Sequence, residues 1–256
     1  MRLIVTRPPA QAAAWVAQLQ DLGLDAVALP LIGIAPVADG APLQRAWAAL
    51  ASYALVLFVS PNAVQQFFAW RGPAGWPEQT LAASTGPGTS AALLEAGVAQ
   101  AALAEPAADS PTFDTEALWA RLSKRDWRGQ RVLIVRGEDG RDWFAETLRA
   151  HGAAVEFITA YRRLAPQVDA ASAALITAAL AAPRQHLWLF SSSEAITHLG
   201  RLAPAADWSA SRAAASHPRI VQTALAAGFG QVDAVAPSAA AVAGLLQPPS
   251  IQSAPL

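Results

Sequence analysis

The sequence predicts an α/β protein of two similar lobes with parallel sheets. Short apolar runs alternate with alanine-rich amphipathic segments along the chain, a series of these strand–helix units occurs twice, and two extended segments closed by proline interrupt the series. At 256 residues the chain suits one or two domains, with enough apolar residues to build a core without metal or disulfide.

The predicted strands are Leu3–Thr6, Ala26–Leu29, Leu55–Val59, Leu81–Ser84, Arg131–Val135, Val155–Thr159, Leu187–Phe190 and Val232–Ala236. Between the first two, Trp15, Leu19 and Leu22 recur at helical spacing before Gly23, a natural C-terminal stop. Asp114 to Leu122 reads as another helix, entered at Asp114 or Thr115. Residues 247–256 carry three prolines and read as a loose tail.

Three units repeat in order. Leu3-Ile4-Val5-Thr6-Arg7 with a helix ending at Gly23 resembles Leu133-Ile134-Val135-Arg136-Gly137 with a helix ending at Gly152 (unit A). Leu55-Val56-Leu57-Phe58-Val59-Ser60 resembles Leu187-Trp188-Leu189-Phe190-Ser191-Ser192 (unit B), and Gly86 to Gly97 has a looser counterpart in His217 to Gly228 (unit C). Both copies of unit A run into an extended piece, Pro30 to Pro36 and Tyr161 to Pro166, whose prolines favour extended backbone and suit crossings between lobes. These residues alone also permit a simple division near Pro106 to Pro111.

Composition excludes several classes of function. The absence of cysteine removes disulfide scaffolds, thiolate metal sites and cysteine nucleophiles. Although 54% of residues are hydrophobic, no run approaches the roughly 20 apolar residues of a spanning helix. The start, Met1 to Pro8, lacks the long apolar region of a secretory signal, so a soluble cytoplasmic protein is expected. A net charge of -1 gives no basic stripe for nucleic acid. All but one of the 18 basic residues are arginine, a bias that fits the alanine-rich composition better than it fits recognition of carboxylates. His151, His186, His198 and His217 lack metal-binding spacing, and no Gly-x-Ser-x-Gly elbow supports a hydrolase. Gly86-Pro87-Gly88, with Glu105 roughly 20 residues on, imitates a dinucleotide fingerprint, but its repeat counterpart has no glycines and turn chemistry explains it better.

Ligands of open parallel sheets gather beyond the carboxyl ends of the strands, where helix N-termini favour anions. Four such ends carry hydroxyl or amide groups: Ser60-Pro61-Asn62, Ser84-Thr85-Gly86, Ser191-Ser192-Ser193 and Ser216-His217-Pro218. Serines there also serve as helix caps, and as matched sets in two lobes they read as facing anion-binding rims. Arg7 and Arg136 end the matched strands, and Arg141 follows in the turn after Gly137. Each suits a ligand carboxylate, and Arg141 suits equally a surface pair with Glu138, Asp139 or Asp142.

Taken together, Ile4-Val5-Thr6-Arg7-Pro8, Phe58-Val59-Ser60-Pro61-Asn62-Ala63-Val64, Val132 to Gly137 with Gly140-Arg141, Tyr161 before Pro166, and Phe190-Ser191-Ser192-Ser193 resemble the uroporphyrinogen-III synthase family over nearly the whole chain apart from its tail. Each motif is weak alone; their order is specific. The sequence departs from the family at Thr85-Gly86, where valine–glycine is usual, and at His217-Pro218-Arg219-Ile220, where glycine and threonines are frequent, so Arg219 stands where threonine roles do not transfer.

The resemblance implies two flavodoxin-like lobes joined by two extended crossings: 1-36 plus 167-247 as a discontinuous first lobe, 37-166 as the second, and 248-256 as a flexible tail. It implies a cyclising hydro-lyase of porphyrin and haem biosynthesis that closes hydroxymethylbilane, a linear tetrapyrrole, with inversion of the last pyrrole ring through a spiro intermediate. The bilane also closes spontaneously to the wrong isomer, so the enzyme's task is largely orientation. The acid arms of the substrate would meet Arg7, Ser60, Asn62, Gly86, Arg136, Gly137, Arg141, Ser191, Ser192, Ser193 and Arg219. Tyr161 would be general acid or hydrogen-bond donor to the leaving oxygen, its alternative being a packed hinge aromatic with a satisfied hydroxyl. No cofactor, metal, nucleic acid or membrane partner is implied, and the expected state is a monomer. Two other readings remain open: a cytoplasmic two-lobed binding protein for an anionic small molecule, and a dinucleotide-dependent α/β enzyme.

Overall fold

The computed structural model describes residues 1–246, so the expected tail at 248-256 lies outside the described residues. In chain order come β1 (Arg2–Val5), α1 (Pro9–Asp21), β2 (Ala26–Ala28), β3 (Gly33–Pro36), α2 (Ala41–Ala48), β4 (Leu55–Phe58), α3 (Pro61–Phe68), β5 (Leu81–Ser84), α4 (Pro87–Glu95), β6 (Leu103–Ala104), α5 (Thr115–Leu122), β7 (Arg131–Gly137), α6 (Trp143–Ala150) and β8 (Ala154–Leu164). Then follow α7 (Ala170–Ala181), β9 (His186–Phe190), α8 (Ser193–Leu202), β10 (Arg212–Ala215), α9 (Pro218–Ala226), β11 (Gln231–Ala234) and α10 (Ala239–Leu246).

The chain packs as two units. Met1–Gly33 joins the segment from Leu164 onward, and Ile34–Arg163 forms the other. The first unit holds a parallel sheet in the order β11-β10-β9-β1-β2. The second holds β3-β8-β7-β4-β5-β6, parallel from β8 to β6. In both sheets the strands of unit A stand beside unit B, then unit C. The copies are exchanged, however: the first A shares a sheet with the second B and C, and the second A with the first B and C.

The repeat is written most plainly in the helix ends. Gly23 (φ 77°) and Gly152 (φ 88°) take left-handed backbone, where a side chain would be strained. Each closes its helix alike: Gly23 N–H donates to the Gln20 carbonyl and Leu24 to Leu19, and Gly152 donates to Arg149 and Ala153 to Leu148. Both faces of the second sheet are covered, as parallel sheets require. Val56, Phe58, Leu133 and Val135 pack on one face, while Leu55, Leu57, Val132 and Ile134 pack on the other. In the first unit Leu187 and Leu189 join one core and Trp188 and Phe190 face the other way, where Trp188 meets Trp208 edge-on at 5.5 Å.

Several strands depart from expectation. β10 reads Arg-Ala-Ala-Ala, a composition without strand preference, and is a strand because it is buried between β9 and β11. β3 falls in a segment whose sequence shows only extended chain, β6 carries no strand signal, and β8 runs on through Tyr161 to Leu164 instead of stopping at Thr159. The division between units falls after Gly33 and after Arg163, a few residues before Pro36 and Pro166. The reason is pairing: β3 and β8 are neighbours in the second sheet, so the chain changes unit within paired strands and before the prolines.

Candidate functional site

Parallel strands bring all their carboxyl ends to one edge of a sheet, and each unit has such a rim. In the first unit, β1 ends at buried Thr6, whose hydroxyl donates to the Leu189 carbonyl at 2.7 Å and ties β1 to β9. The next residue, Arg7, lies with its guanidinium 4.2 Å from the centre of the Trp15 ring. Burial lowers its pKa to about 10. Among the described residues no carboxylate forms an ion pair with it. Arg7 lines a small cleft together with Trp15, Phe190, Ser191, Ser216 and Pro237.

The other hydroxyls of this rim are largely committed to helix ends. Ser192 caps α8 by accepting from the Glu194 N–H at 3.2 Å. Thr223 donates its proton to the Arg219 carbonyl, so it accepts from Ser193 at 2.9 Å and links α8 to α9. His217 caps α9 through Nδ1, which accepts from the Arg219 N–H, and the Arg219 side chain is exposed. Three further histidines donate from Nδ1 to carbonyls: His151 to Thr147, His186 to Ala182 and His198 to Leu31. No group of three potential metal ligands occurs among the described residues.

In the second unit, Ser60 follows β4 and caps α3, its Oγ accepting from the Ala63 N–H at 3.2 Å. The same oxygen lies 3.0 Å from the Tyr161 hydroxyl. Tyr161 is 1% exposed. A bulge in β8 opposite Arg136 and Gly137 pairs Thr159 with Arg136 but Tyr161, instead of Ala160, with Gly137. A Cβ on Gly137 would stand 3.2 Å from the tyrosine ring, so bulge and glycine together seat that ring. Asn62 is buried in the first turn of α3. Gly86 has ordinary extended backbone; what it provides is room, since a Cβ there would meet Phe113 at 3.3 Å.

The arginines of this rim have carboxylate partners, unlike Arg7. Arg136 stacks on Phe157 at 4.0 Å and pairs with Asp142 at 2.6 Å. Arg141 pairs with Glu116 of α5 and with none of the turn carboxylates the sequence offered, because α5 and α6 pack together. Burial favours the neutral Glu116 carboxyl, but the hydrogen bonds from Arg141 and Thr115 outweigh it and hold its pKa below the ordinary value.

Two features are hidden from sequence reasoning. By spacing Trp15 is only a packing marker, and its role beneath Arg7 depends on the strand–helix turn folding back. Ser84 and Ser90 lie 2.6 Å apart, and Ser90 also donates to the Glu105 carboxylate. Glu105 thus holds α4 at the rim, whereas a ribose-binding acid would leave its carboxylate to the ligand.

Comparison with known proteins adds the following. The family model described as Uroporphyrinogen-III synthase HemD matches residues 13–247. A uroporphyrinogen-III synthase of Salmonella typhimurium is 32% identical over 186 residues, covering 68% of this chain and 70% of that protein. One from Chlorobaculum parvum is 30% identical over 174 residues, covering 65% of each. Among solved structures, a mutant uroporphyrinogen III synthase of Thermus thermophilus matches with a TM-score of 0.57 at 17% identity, covering 96% of this chain and 97% of that one. The synthetase of Helicobacter pylori matches at 0.53 and 14%, covering 96% and 98%. Likeness at such identity concerns the fold.

Proposed function

Because the chain belongs to the uroporphyrinogen-III synthase family, we propose that it cyclises hydroxymethylbilane to uroporphyrinogen III, inverting the last pyrrole ring through a spiro intermediate. The observation that carries this is the family match over residues 13–247. The substrate carries acetate and propionate arms, and the groups that suit them are guanidinium ions, hydroxyls and the free N–H groups of helix N-termini.

Arg7 is the first such group, since it has no competing protein carboxylate among the described residues. Ser191 shares its space, with Ser192, Ser193 and Arg219 on the same rim. In the second unit the candidate groups for such arms are Ser60, Asn62, Gly86, Gly137, Arg136 and Arg141, the two arginines being paired with Asp142 and Glu116 in the unliganded protein. A charged hydrogen bond contributes about 1.5–3 kcal/mol, so several arms together hold the flexible chain in one conformation. Tyr161, with Ser60, assists departure of the hydroxyl group. Orientation and one hydrogen-bond donor are what the reaction demands, and these side chains suffice for it. No helix among the described residues is long and apolar enough to cross a membrane; a cytoplasmic monomer meets every requirement of the proposal.

The test is to supply freshly prepared hydroxymethylbilane, oxidise the products and separate the isomers. Type III is expected well above the enzyme-free control, and equality with that control removes this reading.

A further inference from the structure

The hydrogen bond between Ser60 and Tyr161 has a direction, and the direction assigns each residue a place. Tyr161 is 1% exposed, and Ser60 is its sole hydrogen-bond partner among the described residues. If Ser60 donated to Tyr161, the phenolic proton would be buried without an acceptor, which costs the full desolvation of that group. Tyr161 is therefore the donor. Ser60 Oγ already accepts from the Ala63 N–H, and a serine oxygen has two acceptor positions and one proton. With both lone pairs occupied, the proton of Ser60 is the one unspent valence of the group. Ser60 is half-buried at the rim, so that proton is available to a ligand, whereas the phenol is not.

We propose that Ser60 is the catalytic hydrogen-bond donor to a substrate oxygen, and that Tyr161 acts only through it, as a positioning residue. This rests on the synthase reading and changes its inner detail: the tyrosine hydroxyl does not touch substrate. Two donors, the Ala63 N–H at the helix N-terminus and the Tyr161 hydroxyl, draw electron density from Ser60 Oγ and strengthen the bond it gives. The bulge of β8 and the missing side chain of Gly137 hold the phenol in register for this task. The oxygen that receives the bond belongs either to a carboxylate arm or to the departing hydroxyl.

A double-mutant cycle tests the pair. Ser60→Ala is expected to lower kcat/KM roughly ten- to a hundredfold, the loss of one charge-assisted bond. Tyr161→Phe should lower it by less, and the double variant should equal Ser60→Ala within about twofold, as coupled groups do. Ser60→Thr, which keeps both hydroxyl and cap, should recover most activity. A loss in KM identifies a carboxylate arm as the acceptor, and a loss in kcat the departing hydroxyl. Multiplicative losses, or an unaltered Tyr161→Phe enzyme, overturn the pair while leaving the synthase reading intact. A wild type that forms no type III isomer overturns the synthase reading instead. The direction of the bond is testable without turnover: in a Tyr53→Phe variant Tyr161 is the only tyrosine, and its ultraviolet Raman doublet should report a hydrogen-bond donor that Ser60→Ala abolishes. An acceptor signature refutes the assignment.

Discussion

Arg7 and Arg136 lie at the ends of the matched strands of unit A, one position out of register, and their chemistry differs. Arg136 has Asp142, whereas Arg7 has an aromatic face and no ion-pair partner among the described residues. Burial holds the Arg7 pKa at about 10 against 12.5, so below that pH its charge opposes folding, by on the order of 3 kcal/mol. Stacking on Trp15 returns about 1 kcal/mol. Arg7→Met is accordingly expected to raise the melting temperature of the unliganded protein while lowering kcat/KM at least about tenfold, because the charge serves the ligand. A melting temperature that falls, or kinetics left unaltered, would show the guanidinium to be structural. Tyr53 makes the opposite pH statement. Its ring is buried while its hydroxyl donates to the half-exposed Glu156 carboxylate at 2.9 Å; burial first, and then this carboxylate, push the phenol up to about 12. A raised folded pKa contributes stability that is whole below about pH 10 and lost as pH rises through about 12. Thermal unfolding followed across that window should show the loss, and Tyr53→Phe should flatten it.

Among the elements, glycines separate conformational need from spatial need. Gly23 has positive φ but open space around its Cβ position, so Gly23→Ala should cost only backbone strain, about 1 kcal/mol. Gly230, before β11, would place a Cβ 1.8 Å from the Ser209 carbonyl oxygen, a backbone atom that has no side-chain freedom to yield. Gly230→Ala is therefore expected to displace β11 or its neighbouring turn and to cost several times more than Gly23→Ala. Denaturant midpoints of the two variants compare them directly, and equal shifts would contradict the steric account. The caps follow the same local logic: the sequence offers Ser60 and one of Ser191 to Ser193 where strand ends meet helix starts, and the structure selects Ser192 from the three.

At the scale of the whole molecule, the exchanged pairing has a consequence for folding. Residues 34–163 are contiguous and hold β4, β5, β7 and β8 as a complete inner sheet. The other unit needs β1 inside its sheet, between β9 and β2, and β1 lies far from β9 in the chain. A fragment of residues 34–163 should unfold cooperatively on its own, whereas the segment from 164 onward should not fold unless residues 1–33 are linked to it. Circular dichroism melts of the two fragments, with and without the linked segment, decide this; a cooperative transition in the lone C-terminal fragment would refute it.

What the sequence by itself determined is local and periodic: the alternation of strand and helix, the doubled series of units, the cap serines, the glycine stops at Gly23 and Gly152, and the ordered motifs of a family. Such features depend on a few neighbouring residues, whose φ/ψ preferences and hydrophobic spacing are written in place. Only the tertiary structure decided that Arg141 meets Glu116, that alanine-rich β10 is a strand, and that Tyr161 is buried against Ser60, 101 positions away. Those outcomes depend on which strands become neighbours and which groups lose water. The energies that select them are summed over contacts between residues remote in the chain, so no local stretch carries them.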